Sequence, residues 1–263
     1  MPFPEARRVI YKHNPLNGVI CQLRFPPILK IDSEIPSIFQ DRLRNEYPLY
    51  NEKKELHQQV ISGIDVNLSQ ELFNQWNKAT ITKNHEFSTI DQNCSVNLTR
   101  TFLALSTKKY EKWEDFKGKL ESVFKIFLEI YQPPFFTRIG LRYIDLIKRS
   151  ILNLDGVKWD ELIQPHILGI IATKVGEKVI SFNNKYEIGL DDSEGFVNIT
   201  TSFVVDKDTK EQCFLLDSDF FNSIKTSNDA VFNKLDYLHL RANRLLLWSI
   251  KEKLHLAMNP LNI

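Results

Sequence analysis

Glycine is scarce in this chain, 9 residues of 263. No GxGxxG or GxxxxGK string occurs, so a glycine-rich loop that cradles phosphate is excluded. Cysteine is sparse as well. Cys21, Cys94 and Cys213 are odd in number and far apart, without the CxxC-type pair that a zinc site uses. They read as buried free thiols in a reducing compartment. The six histidines form no HxH or HExxH, and no GxSxG or Cys/His signature marks a nucleophile. Charge of one sign is also missing. The 34 basic side chains nearly cancel the 33 acidic ones, for a formal charge of +1. That excludes a globally basic nucleic-acid binder and leaves room for a local basic face. No apolar run approaches the roughly 20 residues of a membrane span. The opening MPFPEARRVIYKHNP has no apolar core of a secretion signal. The expectation is a cytoplasmic protein with no cofactor and no membrane contact.

What is present is apolar periodicity. Residues 1–17 read as an arm restricted by Pro2, Pro4 and Pro15, in which only Val9-Ile10-Tyr11 can pair. Val19, Cys21, Leu23 and Phe25 then alternate with Ile20, Gln22 and Arg24, which predicts a strand ended by Pro26-Pro27. Asp32 or Ser33 is the expected cap of a helix over 34–47. Strands are expected over 56–64, 85–91, 95–100 and 101–107. A long helix over 111–131 carries Trp113, Phe116, Leu120, Phe124 and Phe127 at spacings of three and four, and Pro133-Pro134 closes it.

The second half repeats this order. It has a strand over 136–148, a helix over 159–171, strands over 179–190, 196–206 and 211–217, and a helix over 229–258. Leu23-Arg24-Phe25 recurs as Leu141-Arg142-Tyr143, an offset of 141 − 23 = 118 residues. The expected architecture is α+β. Two pseudo-repeats, 18–132 and 133–263, form one compact unit, a curved antiparallel sheet with helices on one face. Leu23, Phe25, Leu98, Leu103, Phe116, Leu120, Phe124, Phe127, Leu141, Phe203, Phe214, Leu235, Leu245 and Leu246 are the expected core.

The strings NPLNGVICQLRFPPILKI, NLTRTFLALSTKKYEKWEDF, FTRIGLRYIDLI and LLDSDFF resemble an uncharacterised prokaryotic protein family of sporadic distribution. The likeness runs over nearly the whole chain. It implies no activity, cofactor or catalytic residue. Sporadic distribution resembles the pattern of mobile accessory genes, including phage-defence and toxin–antitoxin components. The doubled element order also resembles the TATA-binding-protein-like saddle or a helix-grip relative.

The candidate binding residues are arginines. Arg24 and Arg142 alternate away from the apolar face, and Arg100 and Arg138 are placed to join them. Guanidinium groups on a curved sheet suit phosphate or carboxylate partners. The alternative is that each pairs internally with a carboxylate such as Asp145. Asp145, Asp217 and Asp219 are weaker candidates for a Mg²⁺ site at strand ends, where Asp also caps turns. His239 with Asn243, and Lys251 with His255, each lie one helical turn apart and are expected to face solvent or a partner. Trp113 and Trp159 open helices in matching surroundings, KWEDF and KWDEL, and read as core packing.

Three functions follow in order. The first is a non-catalytic, regulatory binding protein with a protein partner encoded nearby, antitoxin-like or accessory to defence. The second is nucleic-acid or nucleotide binding on the arginine face. The third is a metal-dependent phosphodiesterase or nuclease using the three aspartates.

Overall fold

The computed structural model describes residues 2–57, 80–190 and 195–261. In order these form β1 (Ile10–Tyr11), β2 (Leu16–Arg24), α1 (Lys30–Ser33), α2 (Ser37–Leu43), β3 (Leu49–His57), β4 (Thr80–Ser88), β5 (Cys94–Leu98), β6 (Phe102–Thr107) and α3 (Trp113–Tyr131). The second half adds β7 (Arg138–Ile147), α4 (Pro165–Leu168), β8 (Asn183–Gly189), β9 (Gly195–Val205), β10 (Gln212–Asn222), α5 (Val231–Ser249), α6 (Glu252–Ala257) and β11 (Pro260–Leu261). Nine strands pair antiparallel in the order β3-β4-β5-β6-β2-β7-β10-β9-β8. The architecture is α+β with a curved sheet.

The two strands that share Leu-Arg-aromatic are the central neighbours. Gln22 faces Gly140, Leu23 faces Ile139 and Cys21 faces Leu141. From that pair outward, each half places next the strand that precedes its long helix, β6 on one side and β10 on the other. The long helices α3 and α5 are both 19 residues and start 231 − 113 = 118 residues apart. Trp113, Leu120, Phe124 and Phe127 are buried on α3, and Val231, Leu238, Ala242 and Leu245 are buried at the same offset on α5.

Period two sorts the sheet into two faces. Val19, Cys21 and Leu23 of β2, with Ile139, Leu141, Tyr143 and Ile147 of β7, are buried on the helix side. Phe25 packs on Phe127 of α3 at 4.9 Å between ring centres. Twelve of the fourteen expected core residues are buried, while Phe203 and Leu246 are half-buried and packed against the same core.

Several expected elements are divided or shifted. The helix over 159–171 is a string of short turns, Trp159–Glu161, α4 and Gly169–Ala172. Pro165 has no N–H to continue the first turn, and Gly169 at φ 56° reverses the chain. The helix over 229–258 breaks after Ser249, because Ile250 is extended and bridges Ile163. The helix over 34–47 is two short ones, and Asp32 and Ser33 lie inside α1 instead of capping it. The strand expected over 56–64 is β3, Leu49–His57; residues 58–64 lie outside the described residues. The strand expected to end at Asp217 runs on to Asn222. The arm is tied down: β1 pairs with β11, and the buried Phe3 packs on Trp248 at 5.4 Å.

Candidate functional site

Arg24, Arg138 and Arg142 lie on the sheet face opposite the long helices, where Arg24 and Arg138 are neighbours and Arg142 stands apart. The central pair is antiparallel, so Arg24 opposes Arg138, and Arg142 opposes Ile20. Arg24 and Arg142 therefore diverge by about four positions, roughly 13 Å at the rise of a strand. Arg142 donates from Nε to Oδ1 of Asp217 at 2.7 Å and from Nη2 to Oδ2 of the same carboxylate. Arg138 donates to Asp219 at 2.8 Å and lies over the Phe221 ring at 4.6 Å. Arg24 donates to Gln22 at 2.9 Å. Arg100 is away from this set, in the turn between β5 and β6, with Nε 3.5 Å from Asp32. The internal partners are thus Asp217 and Asp219, not Asp145. Alternation of Asp217, Asp219 and Phe221 along β10 turns them to this face.

Gly140 makes room for this arrangement. A Cβ at that position would meet Nη1 of Arg138 at 2.2 Å. Gly140→Ala is expected to push Arg138 off Asp219 and cost about 1 kcal/mol, the scale of a partly exposed ion pair. Urea unfolding of the variant measures the loss. In an Arg138→Ala background the same change should stabilise slightly, since Gly weakens a strand. A loss of equal size there would show that the guanidinium is not the obstacle.

Asp145 is on the other face. It follows Ile139, Leu141 and Tyr143 in the same phase of β7 and is buried under the helices. The three aspartates are thereby split across the sheet. Among the described residues no group of three or more His, Cys, Asp or Glu is placed to hold a metal ion.

Asp145 instead lines a cavity of about 70 Å³. Its walls come from four parts of the chain. The arm gives Arg8, Val9, Ile10, Tyr11 and Asn14. Strands β7 and β10 give Tyr143, Asp145, Leu216 and Ser218. Tyr110 comes from the loop before α3 and Trp113 from its first residue, and His239, Ala242 and Asn243 come from α5. Strand pairing sets Ser218 opposite Tyr143 and Leu216 opposite Asp145. Helical spacing i, i+3, i+4 puts the three α5 residues on one face.

The walls are cross-braced. Trp113 stacks on the His239 ring at 4.7 Å and donates from Nε1 to Asp236 at 2.7 Å. The Tyr143 hydroxyl lies 2.8 Å from Nδ1 of His239. Asn243 clamps the arm by accepting from the Val9 N–H at 3.3 Å and donating to the Arg7 carbonyl at 3.2 Å. Arg8 is committed to Glu114 through two bonds of 2.5 and 2.7 Å. The Tyr11 hydroxyl lies 2.7 Å from Nδ1 of His255. His239 and Asn243, expected to face outward, thus face the cavity and the arm.

Two polar atoms of these wall residues have no partner among the described residues. Oδ1 of Asp145 and Nε2 of His239 are shielded from solvent and make no hydrogen bond. Burial raises the Asp145 carboxyl to about 7, with a further push from the charge of Asp217 across the sheet. Burial lowers His239 to about 4, assisted by Arg8, so its ring is neutral at pH 7. Burial also raises the Tyr11, Tyr110 and Tyr143 hydroxyls. The site therefore offers one carboxylate that titrates near neutrality, one neutral imidazole and several aromatic walls.

No protein-family model and no curated protein matches this chain. Among the described residues no helix is long and apolar enough to cross a membrane.

Proposed function

We propose that this chain is a non-catalytic binding protein whose ligand is a small molecule held against the N-terminal arm. The observation that carries this reading is a cavity lined by both Asp145 and His239, each of which keeps one buried polar atom without a hydrogen bond among the described residues. A buried polar group without a partner costs about 1–3 kcal/mol, and a ligand that pairs with it removes that cost. Aromatic walls with a few convergent polar groups are the usual composition of such pockets.

The arm forms one wall and is held by Asn243 and by β1–β11 pairing. Ligand occupancy is then linked to the position of the arm. This gives a regulatory binding protein a surface for a protein partner to read. Nucleic-acid binding on the sheet face has less support, because Asp219 and Asp217 neutralise Arg138 and Arg142.

The test fills the cavity. Ala242 is buried on the cavity wall, and Ala242→Phe puts a ring into the space. Wild type and variant, both folded by circular dichroism, are purified from cells, denatured and assayed by mass spectrometry for released small molecules. The expected result is a compound carried by the wild type and absent from the variant. Identical small-molecule content in the two preparations would sink the reading.

A further inference from the structure

We propose that this cavity selects a small organic cation bearing N–H donors, an ammonium or amidinium group, held by Asp145 against the surrounding ring faces. The inference rests on the small-molecule reading above and narrows it to one chemical class.

Charge is the first reason. Asp145 is fully buried, and ionised it has no counter-charge within hydrogen-bonding reach among the described residues. Arg8, the cation on the arm wall, is already satisfied by two bonds to Glu114. His239 stacks on Trp113 and bonds through Nδ1 to the Tyr143 hydroxyl, and it is neutral. An anionic ligand would meet an unscreened carboxylate, and a cationic one would neutralise it.

The second reason is the walls. Tyr110 and Tyr143 meet edge to face at 6.0 Å, beside the Trp113–His239 stack. Aromatic faces attract cations through the ring quadrupole, most strongly where water is excluded. The third reason is hydrogen bonding. An ionised Asp145 only accepts hydrogen bonds, so a ligand held by it must donate, which an N–H cation does and a quaternary ammonium does not. A volume of about 70 Å³ suits a head group of a few heavy atoms.

The experiment is calorimetric titration at pH 8 with acetamidinium chloride and with acetamide, which match in size and differ in charge. Three proteins are compared: wild type, Asp145→Asn and Ala242→Phe. Acetamidinium should bind the wild type at least tenfold more tightly than acetamide. Asp145→Asn should remove that preference, and Ala242→Phe should abolish binding of both probes. Asp145→Asn is nearly isosteric and removes a buried unpaired charge, so the fold is retained, and thermal unfolding verifies this. Acetamide binding as tightly as acetamidinium would overturn the cation class and leave the small-molecule pocket standing. A preference that persists in Asp145→Asn, or cation binding unchanged in Ala242→Phe, would place the cation elsewhere and overturn the proposal. Binding of neither probe to the wild type would overturn the cation class and count against the pocket as well.

Discussion

Leu141→Ala should destabilise the fold by about 2–5 kcal/mol, the range for a buried Leu that leaves a cavity. Leu141 is on β7 at the middle of the sheet, opposite Cys21 on one side and Phe220 on the other, with no exposed surface. Its side chain points to the helix face, where neighbours are close-packed and cannot collapse into the space. The same truncation three residues on gives the contrast. Ile144 is half-buried on the opposite face, and Ile144→Ala should cost about 1 kcal/mol. Urea unfolding reads both, as shifts in midpoint at unchanged slope. A loss at Leu141 no larger than that at Ile144 would contradict the assignment of the two faces.

That assignment was legible in the sequence because alternation is a strong signal wherever one face is buried. RIGLRYIDLI by itself separates Ile139, Leu141, Tyr143 and Ile147 from Arg138 and Arg142. The 118-residue offset was legible too, and it reappears as the spacing of the long helices. Helix interruptions were harder to read. Ile250 fits the apolar stripe of α5, yet it leaves the helix to pair with Ile163, a tertiary contact no local pattern announces. The length of β10 was hidden by its acids. Asp217 and Asp219 looked like strand-exit residues, but cross-strand Arg142 and Arg138 neutralise them and the strand continues.

The cavity is partly written in the sequence. Asp145 occupies the apolar phase of its strand, and His239 falls in the stripe with Leu235, Leu238 and Ala242. A carboxylate and an imidazole at core positions of two packed elements are a signal of a buried polar site. Their meeting depends on the arm and on the β7–α5 packing, which spacing along the chain does not specify.

Asp145→Asn should raise stability at pH 8 by about 2–4 kcal/mol, and the gain should disappear toward pH 4. The carboxyl goes from the usual 3.8 to about 7 on folding. At 1.36 kcal/mol for each pH unit, that gap is a penalty of about 4 kcal/mol when the group is ionised. The sign follows from proton binding. Between roughly pH 4 and pH 7 the folded state holds a proton that the unfolded state has released, so stability falls as pH rises across that window. Above it the full penalty applies, and below it none does. Asn does not titrate and escapes the penalty, although its amide N–H groups need acceptors in the same cavity, which lowers the expected gain. The groups around Asp145 are Tyr11 and Arg8 from the arm, Tyr143 on its own strand, Ser218 on β10, His239 and Asn243 on α5, Tyr110 before α3, and Asp217 through the sheet. His239, lowered to about 4, contributes the opposite slope. Its stabilisation is present above its ordinary pKa near 6.5 and is lost as pH falls toward 4. The raw profile of the wild type therefore mixes both residues, and the difference between wild type and Asp145→Asn isolates the carboxyl. Chemical denaturation at pH 4, 5, 6, 7 and 8 measures that difference. A gain of the same size at every pH would mean that Asp145 does not titrate in this range, and its environment would then be far more polar than the burial of its side chain implies.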